Sequence, residues 1–214
     1  MKKSKIFEEF PAKASHQWDE LHTILCQGGL VIAPTDTIWG IFVCGHEHSY
    51  LKKVHRLKNR AENKPLILFL SEWSQLERYI EQRFFDKIEC LQKIWRNNMT
   101  LIFPSHPLSP IKNFGYESIG IRFPNIPGWS ELISTLHMQE KPVFCTSANI
   151  SNKPVVNSFV QAVQIFDGKV DIIFKEKIKN LGEASTIVNL TRDVFLIRGN
   201  LSSKEHQELC KVAI

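Results

Sequence analysis

The sequence predicts an α/β protein with a twisted mixed sheet and helices on both of its faces. Short apolar runs typical of strands alternate with segments whose apolar residues recur at helical spacing. The run at residues 66–70 is apolar throughout, which is typical of a strand buried on both sides. Two further runs, 186–190 and 194–197, are separated only by Thr191, Arg192 and Asp193, so they predict an antiparallel hairpin.

Helix signals occur at several places along the chain. The first helix is expected over residues 15–27, because Trp18, Leu21 and Leu25 form an apolar stripe and Gly28 follows it. Ser158 with Gln161 resembles a capping box that opens a helix reaching Phe166. Other helices are expected over residues 47–57, 72–80 and 84–95, and after Ser202 or Ser203.

Strand signals occur in eight places: residues 30–33, 66–70, 100–103, 119–123, 142–146, 170–174, 186–190 and 194–197. No repeat or Gly/Ser linker interrupts the 214 residues, which are enough to bury a substantial core. We therefore expect one domain over residues 1–214, with its core at about 15–200.

Composition restricts the function classes. The net charge of +5 favours anionic partners such as nucleotide phosphates or RNA, although a slightly basic protein without such a partner fits equally. Five scattered cysteines without a CxxC pair argue against a disulfide framework or a zinc site and suit a reducing cytoplasm. No signal peptide is expected, because the basic segment at residues 1–13 has no apolar h-region and no small-residue cleavage site. No membrane span is expected, because no apolar run approaches about 18 residues.

Polar residues follow the first buried strand. Thr35, Asp36 and Thr37 lie between Pro34 and the sequence Ile-Trp-Gly. Their side chains could hold a small polar ligand, or could form a turn that satisfies only its own backbone. Farther on, His46-Glu47-His48 lacks the spacing of a zinc-binding helix and is interpreted as a solvated loop.

A basic segment follows the second predicted helix. Lys58, Arg60 and Lys64 could clamp a triphosphate, because arginine offers a planar fork and lysine a point charge to phosphate oxygens. They could equally complement the dipole at the end of the helix. The chain contains no Walker A motif.

Three later strands also end in polar residues. Ser147 and Asn149 follow the strand at 142–146, where hydroxyl, amide and backbone N–H groups can form an anion nest. Cys145 is interpreted as a buried strand residue, because no histidine is paired with it. Arg122 and Arg198 end two further strands and could be ligand contacts or surface residues.

The order and spacing of these motifs resemble the YrdC-like family. The series is PTDT-x-x-G at 34–40, KxR-x-x-x-KP at 58–65, IGIR-x-P at 119–124, TSAN-x-S at 146–151, STIV at 185–188 and IRG at 197–199. The resemblance covers residues 28–199. It implies a twisted α/β sheet around a large basic cavity, the YrdC/RibB-like fold.

The resemblance also implies an activity, since the family includes threonylcarbamoyl-AMP synthases. Such an enzyme, an L-threonylcarbamoyladenylate synthase, makes threonylcarbamoyl-AMP and pyrophosphate from L-threonine, bicarbonate and ATP with Mg²⁺. A downstream transferase complex then modifies adenosine 37 of tRNAs that read ANN codons. A contact with tRNA or RNA is conceivable, and no membrane partner is implied.

The family's residue roles carry over by position in the motifs. The implied catalytic residues are Lys58 and Arg60. The implied ATP contacts are Arg60, Lys64, Ser118, Ser147, Asn149, Val155 and Arg198, and the implied threonine contacts are Thr35, Thr37, Arg122, Cys145 through its backbone, and Ser185. No protein ligand for a metal is implied.

The sequence departs from the family pattern in several places. Arg96-Asn97-Asn98 replaces a PGP-like turn, Asn152 a glycine and Asn189 a carboxylate, and Phe69 lies where some members have histidine. These changes leave open a YciO-like paralogue with weak or different activity, or a non-catalytic RNA-binding protein. A chain of 214 residues corresponds to the short, single-domain branch of the family.

Overall fold

The computed structural model describes residues 3–13, 15–111, 114–175 and 182–213, and contains one ten-stranded sheet. Its strands are β1 (Lys5–Phe7), β2 (Val31–Ala33), β3 (Gly40–Cys44), β4 (Ile67–Phe69), β5 (Met99–Pro104), β6 (Ser118–Arg122), β7 (Val143–Ser147), β8 (Ile172–Phe174), β9 (Thr186–Asn189) and β10 (Phe195–Arg198). Their order across the sheet is β1-β8-β2-β3-β7-β4-β6-β5-β9-β10.

The sheet is mixed, as predicted. Strand β4 pairs parallel to β6 and antiparallel to β7, and β5 pairs antiparallel to β6 and parallel to β9. The predicted hairpin is present as the antiparallel pair β9 and β10. Strands β1 and β3 were not predicted: β1 has only three residues, and β3 lies between the polar turn at 34–39 and the helix His48–Lys58, a stretch for which the sequence predicts no element.

The helices are α1 (His16–Cys26), α2 (His48–Lys58), α3 (Ile88–Ile94), α4 (Trp129–Met138), α5 (Phe159–Phe166) and α6 (Ser203–Ala213). Two 3₁₀ helices, Trp73–Arg78 and Gln82–Lys87, precede α3. The predicted N-cap at Ser158 is present, since Gln161 N donates to Ser158 Oγ at 3.4 Å. Ser15, which was predicted only as the start of the first helix, caps it by accepting from Trp18 N at 3.1 Å.

Three helix predictions require correction. The predicted α-helix at 72–80 is a 3₁₀ helix, and the one at 84–95 is α-helical only over Ile88–Ile94. Trp73, Leu76 and Tyr79 recur every three residues, which aligns them on one side of a 3₁₀ helix. Helix α4 was missed because its N-cap, Gly128 at φ 76°, has no capping side chain to signal the start.

Each face of the sheet carries its own apolar core. Helices α1 and α4 cover one face with Trp18, Leu21, Trp129 and Leu136. Helices α2, α3, α5 and α6 contribute to the larger core on the other face, which includes Leu51, Val54, Leu91, Phe166 and Leu209. The sheet is thus held rigidly, and the polar residues at its strand ends are fixed in place. No helix in the described ranges has the length and apolar character needed to cross a membrane.

Candidate functional site

A cavity of about 290 Å³ opens beside strands β5, β6, β7 and β10, which present polar residues to it, and β4 and β9, which present apolar ones. Side chains alternate along a strand, so Ser118, Gly120 and Arg122 of β6 all face this cavity. Nine of the residues singled out from the sequence line it: Thr35, Thr37, Arg60, Ser118, Arg122, Cys145, Ser147, Ser185 and Arg198. Motifs far apart in the chain therefore meet at one place.

Four of the predicted site residues do not line the cavity. Lys64 is exposed, and Val155 packs against the larger core. Lys58 and Asn149 lie behind the cavity wall, where they bond to each other. The family-derived roles of all the predicted site residues, inside and outside the cavity, remain predictions.

The turn that contains Thr35 is stabilised by its own side chain. Thr35 Oγ1 accepts from Thr37 N at 3.1 Å and from Ile38 N at 3.2 Å, and donates to Ile38 O at 2.6 Å. The hydroxyl of Thr35 therefore serves the backbone, which is the structural alternative that the sequence left open. It thereby presents the neighbouring Thr37 hydroxyl to the cavity.

Arg122 is almost fully buried, with 4% of the residue exposed, and hydrogen bonds hold its guanidinium group from three sides. Its Nη1 donates to Thr37 Oγ1 at 2.7 Å, its Nε to Asn97 O at 2.8 Å, and its Nη2 to the carboxylate of Asp36. Burial lowers the pKa of the Arg122 guanidinium and Asp36 opposes that shift, so the group stays charged. One N–H on each terminal nitrogen remains available for an anion, such as a carboxylate.

Asp36 orients this arginine and was not among the predicted site residues. Its Oδ1 accepts from Arg122, and its Oδ2 accepts from Asn125 N at 2.9 Å. The carboxylate thereby ties the turn after β2 to the segment after β6. The pairing joins residues 86 positions apart, so no local sequence signal reveals it.

Lys58 secures the loop that follows β7. Its Nζ donates to the carbonyl of Ser147, to Asn149 O at 2.8 Å and to Asn149 Oδ1 at 2.7 Å. Burial, followed by the charge of Arg60, lowers the pKa of Lys58 to about 8, so the ammonium is mostly charged at neutral pH. Ser147 Oγ also donates to Asn149 Oδ1 at 2.7 Å, which fixes the hydroxyl that lines the cavity.

Arg60 and Arg198 place positive charge on the same cavity. Arg60 Nη1 donates to Thr146 Oγ1 at 3.3 Å and its Nη2 to Pro65 O at 3.1 Å. Burial lowers the pKa of both arginines, and the nearby charge of Arg122 further lowers that of Arg198. Three like charges around one cavity repel one another, and an anionic ligand relieves that repulsion.

Ser185 joins Arg198 to β5. Its carbonyl accepts from Arg198 Nε at 3.0 Å, and its Oγ lies 3.3 Å from Arg198 Nη2 and 2.9 Å from Thr100 Oγ1. Thr100 is a further cavity residue that the sequence did not single out. The sequence indicated only that a predicted strand begins at Thr100.

Cys145 lies in β7, where it is 4% exposed. Burial raises the pKa of its thiol to about 12, so the thiol stays protonated, as expected for a structural cysteine. Gly40 of β3 packs directly against it, because a Cβ at Gly40 would lie 2.6 Å from Cys145 Sγ. This close approach explains the glycine that ends the PTDT-x-x-G motif.

The described lining of the cavity contains no carboxylate. The described residues also contain no group of three or more His, Cys, Asp and Glu arranged to hold a metal. Among the acidic residues near the cavity, Asp36 is occupied by Arg122. The cavity therefore suits an anion, or a cation that arrives already bound to an anionic ligand.

The departures from the family pattern are accommodated locally. Asn152 adopts φ 64°, the left-handed conformation expected where relatives have glycine. Asn189 Oδ1 accepts from Thr191 N at 2.9 Å and so forms an Asx turn in the hairpin. The carbonyl of Asn97, in the altered PGP position, holds Arg122.

The chain matches a family model and several named proteins. The model Sua5_yciO_yrdC, described as "Telomere recombination", matches residues 23–199. The threonylcarbamoyl-AMP synthase of Pyrococcus abyssi (strain GE5 / Orsay) is 27% identical over 187 residues, which are 86% of this chain and 54% of that protein. That of Pseudoalteromonas translucida (strain TAC 125) is 27% identical over 168 residues, covering 77% of this chain and 88% of that protein.

A solved structure extends the comparison to the fold. The crystal structure of P. abyssi Sua5 complexed with L-threonine superposes with a TM-score of 0.81 and 24% identity, over 96% of this chain and 61% of that chain. The protein belongs to the Sua5/YciO/YrdC family. It spans about half the length of the P. abyssi relative.

Proposed function

We propose that the protein is an L-threonylcarbamoyladenylate synthase, which forms threonylcarbamoyl-AMP and pyrophosphate from L-threonine, bicarbonate and ATP. The observation that carries the proposal is that Arg122, Arg60 and Arg198 line one cavity together with the hydroxyls of Thr37, Ser147 and Ser185. The names of the relatives, threonylcarbamoyl-AMP synthase, support it.

The amino acid fits the part of the cavity around Arg122. The two free N–H groups of that guanidinium suit a carboxylate, because arginine and carboxylate geometries match in pairs. Thr37 and Ser185 offer hydroxyls to a polar side chain or an amine, and Phe69 supplies an apolar surface. The ring of Phe69 lies 5.5 Å below the Arg122 guanidinium carbon. In this proposal Thr35 acts by shaping the turn, and Cys145 through its backbone.

The nucleotide fits the part of the cavity near Arg60. Arg60, Arg198 and Ser118 offer N–H and O–H donors to phosphate oxygens, and Ser147, whose hydroxyl donates to Asn149 Oδ1, lines the same part of the cavity. Lys58 and Asn149 support Ser147 from behind, and we assign them that role. Lys64 and Val155 are assigned to the outer parts of the nucleotide, because they lie beyond the cavity wall.

The chemistry needs alignment and charge neutralisation more than covalent help. Carbamate formation joins the threonine nitrogen to the bicarbonate carbon and releases water. A carbamate oxygen then attacks the α-phosphorus, the bond from that phosphorus to the bridging oxygen breaks, and pyrophosphate leaves. Fixed cationic donors stabilise the negative charge that grows on the phosphate oxygens, and holding both anions side by side lowers the barrier further.

Mg²⁺ enters this proposal as part of the substrate MgATP. The described cavity lining offers hydroxyls and guanidinium groups but no carboxylate, so phosphate oxygens and water would supply most of the metal's ligands. The product would pass to a transferase complex that modifies adenosine 37 of tRNAs reading ANN codons. A cytoplasmic location suits the five free thiols and the supply of ATP.

The test is pyrophosphate release by the purified protein given MgATP, bicarbonate and L-threonine, with each substrate omitted in turn. The proposal predicts release that requires all three and a product with the mass of threonylcarbamoyl-AMP. Arg60→Ala should lower kcat/KM by roughly 10²–10³-fold, the effect typical of losing a donor to developing charge. Release that ignores threonine would refute the proposal and favour a YciO-like activity. Salt-sensitive RNA binding with no release would favour the RNA-binding alternative.

A further inference from the structure

We propose that Arg96 is a positioning residue for Arg122, acting through the carbonyl of Asn97 and anchored on helix α6 by Glu205. The inference concerns the turn at residues 96–99, where the sequence departs from the family pattern. It rests on the proposed function only in taking threonine as the ligand whose carboxylate Arg122 holds.

The carbonyls of this turn each have a defined partner. Arg96 O accepts from Met99 N at 2.9 Å, which closes the turn. Asn97 O accepts from Arg122 Nε at 2.8 Å, and Asn98 O accepts from Thr186 N at 2.9 Å. One turn therefore fixes both Arg122 and the start of β9, next to Ser185.

The side chain of Arg96 ties the turn to the C-terminal part of the chain. Its Nε lies 2.7 Å from Glu205 Oε1, and its Nη2 donates to Asn200 O at 3.2 Å. Glu205 is itself held, because its Oε2 accepts from Ser202 N at 2.8 Å and from Ser202 Oγ at 2.6 Å. The anchor is thus the capped first turn of α6, a rigid element.

The position of the Asn97 carbonyl sets the direction of the Arg122 fork. A guanidinium is planar and rigid, so the atom bonded to Nε fixes the line along which Nη1 and Nη2 point. Thr37 and Asp36 hold the two terminal nitrogens, and Asn97 O is the remaining contact. When the turn moves, the N–H groups that face the cavity turn with it.

Arg83 offers a closely matched control. Its Nε lies 3.0 Å from Glu81 Oε2 and its Nη2 donates to Thr191 O at 3.2 Å, and its side chain is 43% exposed against 44% for Arg96. Arg83, Glu81 and Thr191 are not among the described residues that line the cavity. Arg83→Ala therefore removes a similar ion pair and carbonyl bond, together with the contact of Arg83 with the Phe84 ring at 4.8 Å, without touching the turn that holds Arg122.

The experiment compares the full chain with Arg96→Ala, Arg96→Lys and Arg83→Ala. The first readout is the ¹⁵N–¹H resonance of Arg122 Nε, assigned by its loss in Arg122→Lys and recorded without any substrate. We expect it to shift and exchange faster with water in Arg96→Ala, but not in Arg83→Ala. An unchanged resonance in Arg96→Ala overturns the inference even if the protein proves to have another activity.

The second readout separates positioning from general destabilisation. Arg96→Ala should raise the KM for threonine roughly two- to fivefold, the range that a partly exposed ion pair supports, with kcat and the KM for ATP nearly unchanged. Arg96→Lys, which keeps the charge opposite Glu205, should recover most of the loss. An equal change in Arg83→Ala, or a fall confined to kcat, overturns the inference. If the unmodified protein shows no threonine dependence, the proposed function fails while the resonance still decides the positioning.

Discussion

Arg122→Lys tests the amino-acid end of the cavity, because it keeps the positive charge and removes the fork. The guanidinium uses separate nitrogens for the carbonyl of Asn97, the hydroxyl of Thr37 and the carboxylate of Asp36. A lysine ammonium is a single donor atom and cannot reach all three positions and a ligand carboxylate together. The substitution therefore separates charge from geometry.

Two magnitudes follow from these contacts. A hydrogen bond to a charged group contributes about 1.5–3 kcal/mol, so losing the paired bond to a carboxylate should raise the KM for threonine roughly 10- to 150-fold. Leaving the Asn97 carbonyl or the Asp36 carboxylate without its donor costs about 1–3 kcal/mol in the free energy of unfolding. The KM for ATP should change little, because Arg60 and Ser147 are untouched.

Threonine-dependent pyrophosphate release gives the two KM values, and urea unfolding gives the stability. Arg78→Lys is the control, since Arg78 makes only an exposed pair with Glu140 at 3.3 Å. An Arg122→Lys enzyme with an unchanged KM for threonine would mean that Arg122 does not hold the carboxylate. An equal rise in the KM for ATP would mean that the two ligands do not occupy separate parts of the cavity.

Three further predictions concern stability. Gly40→Ala should lower the free energy of unfolding in urea by about 1–3 kcal/mol, because the new Cβ would lie 2.6 Å from Cys145 Sγ. An unchanged urea midpoint would contradict the close packing of Gly40 against Cys145. In the same urea experiment, Asn152→Ala should lower the free energy of unfolding by about 1–2 kcal/mol, because residue 152 has φ 64°, and Asn152→Gly should change it very little. Equal losses in the two variants would contradict the left-handed turn. Burial lowers the pKa of His137 to about 4, so below pH 6.5 only the unfolded state gains its proton. Between pH 6.5 and 4, the free energy of unfolding of the unmodified protein should therefore fall by up to about 3 kcal/mol more than that of His137→Gln. Parallel curves of unfolding free energy against pH for the two proteins would contradict this.

The neutrality of His137 follows from its burial, and its partners fix the tautomer. Its Nε2 donates to the carbonyl of Phe69 at 3.2 Å, so its Nδ1 accepts from the Tyr79 hydroxyl at 3.1 Å. Protonation of Nδ1 would require the Tyr79 hydroxyl to turn and accept instead of donate. Glutamine can reproduce both bonds without titrating, which makes it the matched replacement.

Much of the fold could be predicted because local signals agreed with the tertiary structure. Ser15, the apolar stripe of α1 and Gly28 mark the first helix to within one residue at each end. The apolar run at 66–70 contains β4, and the predicted turn at 191–193 lies within the connection 190–194 between β9 and β10. In each case the pattern that buries apolar side chains also fits the local backbone.

The parts that could not be predicted lack such local signals. Helix α4 begins at a glycine without a side-chain cap, and β1 is a three-residue strand that pairs with β8, far along the chain. The apolar residues of Trp73–Arg78 fit an α-helix or a 3₁₀ helix, so their spacing alone did not distinguish the two. Here tertiary packing, not propensity, selects the structure.

The candidate site also has features that could be predicted from the sequence and features that could not. Order and spacing of motifs identified nine residues that meet in the cavity. They did not show that Lys58 points to the Ser147 loop, that Thr35 serves its own turn, or that Asp36 holds Arg122. Two of these contacts join residues far apart in the chain, and the third depends on how the turn after β2 folds, so none of them follows from motif spacing.

The central claim is that one cavity holds threonine and the nucleotide side by side. Calorimetric titration with L-threonine, with and without a non-hydrolysable ATP analogue and Mg²⁺, tests it most directly. The account predicts one threonine site per chain, an affinity that changes when the nucleotide is bound, and loss of the threonine heat in Arg122→Ala with nucleotide binding retained. Threonine binding that is absent under both conditions, or that survives Arg122→Ala unchanged, would contradict it.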